Sequence, residues 1–359
     1  MKLVVDLPDT LVGRIRDAVE EGGYDDAREF VTTAIENQLE LEEEEDYTGS
    51  FKTIDEAIQE FEHNKTRSKA TSRPGDEPVS GPQIDLARRA YKNVIPVNLP
   101  ASNRVSEGPL WGQYNRILPV KFVIRRLANV LDDSANQEAN QPVQRDLSEF
   151  STEVAWEARE FGKELERIDD RRSRARGEKL SAGFPTGKKT EKSIDRFESH
   201  FVGYADRNGN LTGAPASLRL VNITADKGSE LGLSKYGVEF AALENPLFDK
   251  DVEADDPLSD QEKQFYISHV REVLPKEFNA MVHTAKAISE GDDRPQSLSD
   301  RVAELDDEWS DAQASTNRSG LISRMYELSL VDRHRVGQRG IGYELTEEGY
   351  DLIQSHERS

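Results

Sequence analysis

The chemistry open to this sequence lies in its cations. Arg318, Arg324, Arg333, His334, Arg335 and Arg339 gather in one C-terminal stretch. A second stretch, Arg167–Lys192, holds nine basic and four acidic side chains, among them Arg171, Arg172, Arg174, Arg176, Lys188 and Lys189. Arg116, Lys121 and Arg125 form a third, in a span from 108 to 130 without an acid. Guanidinium and ammonium groups at this density suit phosphate oxygens, while Asn317, Ser319 and Ser323 carry the donors and acceptors that read base edges. These islands stand out because the 359-residue chain has 47 basic against 69 acidic residues and a formal net charge of −22.

Other chemistries find no residues to carry them. The six histidines, at 63, 200, 269, 283, 334 and 356, show no His-x-x-x-His pair or other metal spacing. The absence of cysteine rules out disulfides, zinc–thiolate sites and thiol nucleophiles. Gly183 to Lys189 reads Gly-x-x-x-Gly-Lys-Lys, which lacks the spacing of a Walker loop, and there is no Gly-x-Ser-x-Gly. No apolar run approaches the roughly 18 residues of a membrane span. Asp6 interrupts the N-terminus before a signal core can form. The expectation is a cytoplasmic, non-enzymatic protein with no cofactor, metal or membrane partner.

The elements that would position the C-terminal cations come twice. Leu218-Arg219-Leu220-Val221-Asn222-Ile223, followed by Leu231-Gly232-Leu233-Ser234-Lys235-Tyr236-Gly237, is echoed by Leu328-Ser329-Leu330-Val331-Asp332-Arg333 and Tyr343-Glu344-Leu345-Thr346-Glu347-Glu348-Gly349. Each reads as a helix end, a strand, a turn, a returning strand and a helix capped by Ser234 or Thr346. Upstream of the second copy, Phe278 to Ile288, Leu298 to Leu305 and Asn317 to Ser329 have helical apolar spacing. In the first copy the corresponding last helix, Gly213 to Leu220, is short and holds Pro215. The pattern resembles the C-terminal half of winged helix-turn-helix domains. That resemblance implies a helix in the major groove, carrying Asn317, Arg318, Ser323 and Arg324, and a wing on phosphate, carrying Arg333, Arg335 and Arg339.

Two further helices precede these. Pro119 opens one whose buried stripe is Val120, Val123, Ile124, Leu127 and Leu131, which leaves Lys121 and Arg125 on an exposed face. Residues 147–170 form the other, and the basic segment after it reads as a phosphate-tracking arm.

At the N-terminus, Leu3, Val5 and Leu7 alternate along a strand, and Pro8 opens a helix through Leu11, Ile15 and Val19. Gly22-Gly23 ends it, and a second helix carries Phe30, Val31, Ala34, Ile35 and Leu39. One strand and two helices cannot bury both faces alone. The order resembles the ribbon-helix-helix domain of the Arc and MetJ type. That implies a homodimer through the N-terminal strand, with Lys2 and Val4 facing the groove. Asp6 on that strand and Asp25 and Asp26 at the second helix cap depart from the family's phosphate-binding pattern.

The dispersed acidity, with 30 Arg against 17 Lys, resembles salt-in halophile proteins of the haloarchaeal type. The expected fold class is α+β, mainly helical. The expected units are a ribbon-helix-helix dimerisation domain (1–45), an acidic flexible linker (46–82), a helical winged-helix-like domain (83–255) and a C-terminal winged-helix domain (256–359). The expected function is double-stranded DNA binding in a nucleoid-associated transcriptional regulator. The alternatives are a plasmid or chromosome partition or replication-site protein, and an assembly scaffold without DNA contact.

Overall fold

Helix α1 (Leu118–Ala135) is buried on all sides: thirteen of its eighteen residues are inside, so it lies within the body rather than on its surface. This computed structural model describes residues 84–98, 109–135, 144–205, 210–224, 230–250, 254–336 and 340–358. Two units divide at Gly81, close to the expected end of the linker, and all of the first lies outside the described residues. The ribbon-helix-helix reading, with Lys2, Val4 and the dimer strand, falls there.

The second unit is mainly helical with small antiparallel sheets. Around α1 stand α2 (Leu147–Arg171) and α3 (Thr190–Phe197), which continues as a widened π turn over Glu198–Val202. The one-turn α4 (Ala214–Ser217) follows. Phe122, Phe161, Phe184 and Phe248 pack ring against ring between these elements, with centroids 5.4–6.2 Å apart. Strands β1 (Arg145–Asp146), β2 (Val221–Thr224) and β3 (Glu230–Leu233) form one sheet in the order β1-β3-β2, and α5 (Lys235–Ala242) closes this half. The second half runs α6 (Asp260–Val273), α7 (Pro275–Ser289), α8 (Pro295–Ala303), α9 (Asp311–Glu327), the hairpin β4 (Val331–Val336) and β5 (Gly340–Leu345), then α10 (Glu347–Glu357). One apolar core runs through both halves, so the expected boundary at 255/256 is not a break in packing. Among the described residues no helix is long and apolar enough to cross a membrane.

The sequence echo is an echo in atomic detail. Arg219 and Ser329 both take left-handed backbone, at φ 56° and 57°. The next residue bonds back to the helix before it, Leu220 N to Pro215 O and Leu330 N to Met325 O, each at 2.9 Å. Ser234 donates from Oγ to Arg219 O (2.7 Å) and accepts from Gly237 N (3.2 Å). Thr346 Oγ1 does the same with Ser329 O (2.6 Å) and Gly349 N (3.1 Å). A Cβ on Gly237 would strike Leu220 O, and one on Gly349 would strike Leu330 O, so only glycine admits the returning helix this close. Each returning strand also meets the residues just before a helix. β3 pairs with β1 ahead of α2, and Tyr343 N bonds Asp293 O (3.0 Å) ahead of α8.

Candidate nucleic-acid interface

The hairpin β4–β5 is where the sequence placed it, in register from Val331↔Leu345 to Val336↔Gly340. Its arginines have different surroundings. Arg335 is exposed. Arg333 is drawn inward: its guanidinium lies over the Tyr326 ring (5.2 Å) and near the Tyr343 ring (6.0 Å), and Nη2 reaches Ser323 Oγ at 3.4 Å. It sits so tightly on the 3-10 turn Arg176–Glu178 that a Cβ on Gly177 would overlap it. Burial, then the nearby Arg116, pulls its pKa below the ordinary arginine value. Arg333 is therefore a joint between the halves, and among the described hairpin residues Arg335 is the exposed arginine. Arg339 lies outside the described residues.

Helix α9 begins at Asp311, six residues before the expected start at Asn317, behind a Ser310 and Gln313 capping box. Its N-terminal turns are solvated, but from Gly320 to Leu328 every residue except Tyr326 is buried. The segment from Leu110 to Ile117 lies along it. Gly112 N donates to Asn317 Oδ1 (2.9 Å), Arg324 Nη1 donates to Tyr114 O (2.7 Å), and Ile117 N donates to Glu327. Glu277 of α7 accepts from Arg324 Nε (2.9 Å) and Leu110 N (2.8 Å). Asn317 and Arg318 are half-buried, with Arg318 Nε on Ser299 Oγ (3.2 Å). The expectation that Ser323 and Arg324 face a groove is corrected: Arg324 is 1% exposed, because a buried arginine needs the carboxylate that α7 supplies. Arg116 is corrected with it, its Nη2 on Gly177 O (2.9 Å) and its Nη1 3.9 Å from Glu327.

Lys121 and Arg125 are likewise corrected from exposed to fully buried. With Asn129 they form an i, i+4, i+8 line along α1, and each fastens a distant segment. Lys121 Nζ binds Phe240 O (2.5 Å), Leu243 O (2.9 Å) and Glu262 (2.8 Å). Arg125 grips Asp249 with both terminal nitrogens (2.8 and 3.0 Å) and also bonds Leu86 O (2.8 Å). Asn129 takes Asp85 O (2.9 Å) and the Tyr91 hydroxyl (2.7 Å). Burial outweighs the attraction of Glu262 and lowers the Lys121 pKa to about 8. Burial would raise Asp249, but its hydrogen bonds from Arg125 and Asn245 hold it below the ordinary value.

The basic segment after α2 is folded onto the body. Asp169, fully buried, accepts from Leu180 N (2.9 Å), Ser181 N (2.9 Å) and Ser181 Oγ (2.7 Å). Arg174 pairs with Asp255 (2.9 Å), as does Arg172 (2.5 Å). Arg171, Lys188 and Lys189 are exposed, and each has a partner. The backbone of Arg176 belongs to the 3-10 turn under Arg333.

The residues that sequence reasoning missed are the acids: Glu262, Asp249, Glu277, Glu327 and Asp169. One carried a readable signal. Ser259-x-x-Glu262 is a capping box, and Glu262 accepts from Ser259 N (2.8 Å) while its other oxygen pairs with Lys121. Chemically, the arrangement offers a half-solvated hairpin and a shoulder of partly neutralised cations, with most charged side chains in the interior serving as struts. No protein-family model, curated protein or solved structure matches the chain.

Proposed function

We propose that the protein is a double-stranded-DNA-binding regulator built of two winged-helix-like units behind a ribbon-helix-helix dimerisation segment. The repeated order carries this reading: helix, strand contact, helices, hairpin, capped helix, with the same backbone joint in both copies. The contact runs through the second hairpin, led by Arg335 and joined by Arg339, and through the shoulder with Arg171, Lys188 and Lys189. Helix α9 does not read the groove along its length, since the Leu110–Ile117 segment occupies its C-terminal half.

The test is retention of duplex DNA by the full chain over a potassium chloride series. Arg335→Ala with Arg339→Ala is expected to flatten the slope of log affinity against log salt by about two. Arg333→Ala is expected to lower stability instead. A second reading, an assembly scaffold, is favoured by the burial of Arg116, Lys121, Arg125 and Arg324 against the protein's own atoms. It stands if the full chain retains no duplex at any salt concentration.

A further inference from the structure

Away from the second hairpin, the π turn Glu198–Val202 bulges from the end of α3 and opens a cleft of about 490 Å³ against the first turns of α2. That volume lies in the range of small-molecule sites, roughly 300–1,000 Å³. Its walls include Asp146, Ser148, Ser151, Thr152, Glu198 and Tyr204, and no Lys, Arg or His is among the described residues lining it. Asp146 is occupied as the cap of α2, accepting from Glu149 N (2.9 Å). The hydroxyl of Ser151, a residue only 8% exposed, has no hydrogen-bond partner among the described residues although it borders the cleft. A hydroxyl at a cleft wall with no partner among the described residues can bond a molecule that enters the cleft. Glu198 is half-buried there, with the Thr152 hydroxyl as a hydrogen-bond partner, and burial followed by the charge of Asp195 raises its pKa.

We propose that this cleft binds a small organic ammonium compound, with the ammonium on Glu198 and a hydroxyl or carbonyl oxygen on Ser151. The described residues of the wall bring two carboxylates, Asp146 and Glu198, and no cation, which disfavours anions. A bound ammonium neutralises the half-buried Glu198 carboxylate, and the exposed Tyr204 at the rim offers a ring face to the same charge. None of the residues lining the cleft belongs to the second hairpin, so the assignment stands apart from the DNA reading.

Titration calorimetry on the full chain in buffered potassium chloride tests it, with ethanolamine, choline and putrescine as probes and glucose and inorganic phosphate as the neutral and anionic arms. Saturable one-to-one binding of an ammonium probe is expected, with no heat from glucose or phosphate. Glu198→Gln should weaken it by about tenfold or more, and Ser151→Ala by about threefold. Tyr204→Leu, at an exposed position, provides a second variant if Glu198→Gln unfolds, and should also weaken the ammonium probes. The assignment is overturned if no ammonium probe binds, if glucose or phosphate binds equally well, or if these variants leave binding unchanged.

Discussion

Gly112 and Gly320 meet backbone to backbone. A Cβ on Gly320 would lie well inside 3.0 Å of Gly112 O, and one on Gly112 would lie as close to Thr316 O. The obstructing atoms are main chain and cannot swing aside. Gly320→Ala and Gly112→Ala are therefore expected to lower stability by about 1–3 kcal/mol or more each. Denaturant midpoints should show it with unchanged m-values, and a loss below about 0.5 kcal/mol would contradict the crossing.

The two joints make a paired prediction. Ser234→Ala and Thr346→Ala each remove a cap that also ties down the left-handed residue before the hairpin. Each should cost about 0.5–2 kcal/mol. The sites share no partner, so the double variant should show the sum within about 0.5 kcal/mol in thermal or urea unfolding.

Lys121 offers a test of buried charge. Lys121→Met strands Glu262, which is fully buried, and should cost about 3–5 kcal/mol. Adding Glu262→Gln, which keeps an acceptor for Ser259 N, should recover much of that loss. An exposed lysine would move stability by less than about 0.5 kcal/mol, so the single variant distinguishes the two placements.

His200 sets a pH dependence. It packs edge-on to Trp111 (5.3 Å) and Tyr114 (6.3 Å), and burial, followed by the nearby Arg196, lowers its pKa from 6.5 to about 4. Between those values the unfolded chain binds a proton that the folded one refuses. The contribution is fully present above pH 6.5 and is lost as pH falls through about 4. His200→Phe, which keeps a ring, should flatten the midpoint-versus-pH curve in that window relative to the parent; parallel curves would contradict the placement.

Much of the body was legible locally. The hairpins, the caps at Ser234 and Thr346, and the helices over 118–135 and 147–171 follow from period and capping chemistry within a few residues of sequence. Exposure was not legible, because it depends on partners far along the chain. Lys121 and Arg125 read as solvated because they are charged, yet their acids lie at 262 and 249. Arg324 finds its acid at 277 and its carbonyl at 114. The covering of α9 could not be read either. It depends on a segment about two hundred residues earlier whose one local hint is a glycine at 112.

The polar line along α1 fastens both the stretch that precedes the helix, at Asp85 and Leu86, and the stretch that follows the first hairpin, at Leu243 and Asp249. The same line reaches the second half where Lys121 pairs with Glu262, and Arg324 on Tyr114 O adds a second crossing, so the covalent path between the halves is duplicated by noncovalent ones. A chain nicked between Lys250 and Ala254 should still migrate as one particle, its fragments parting only in denaturant.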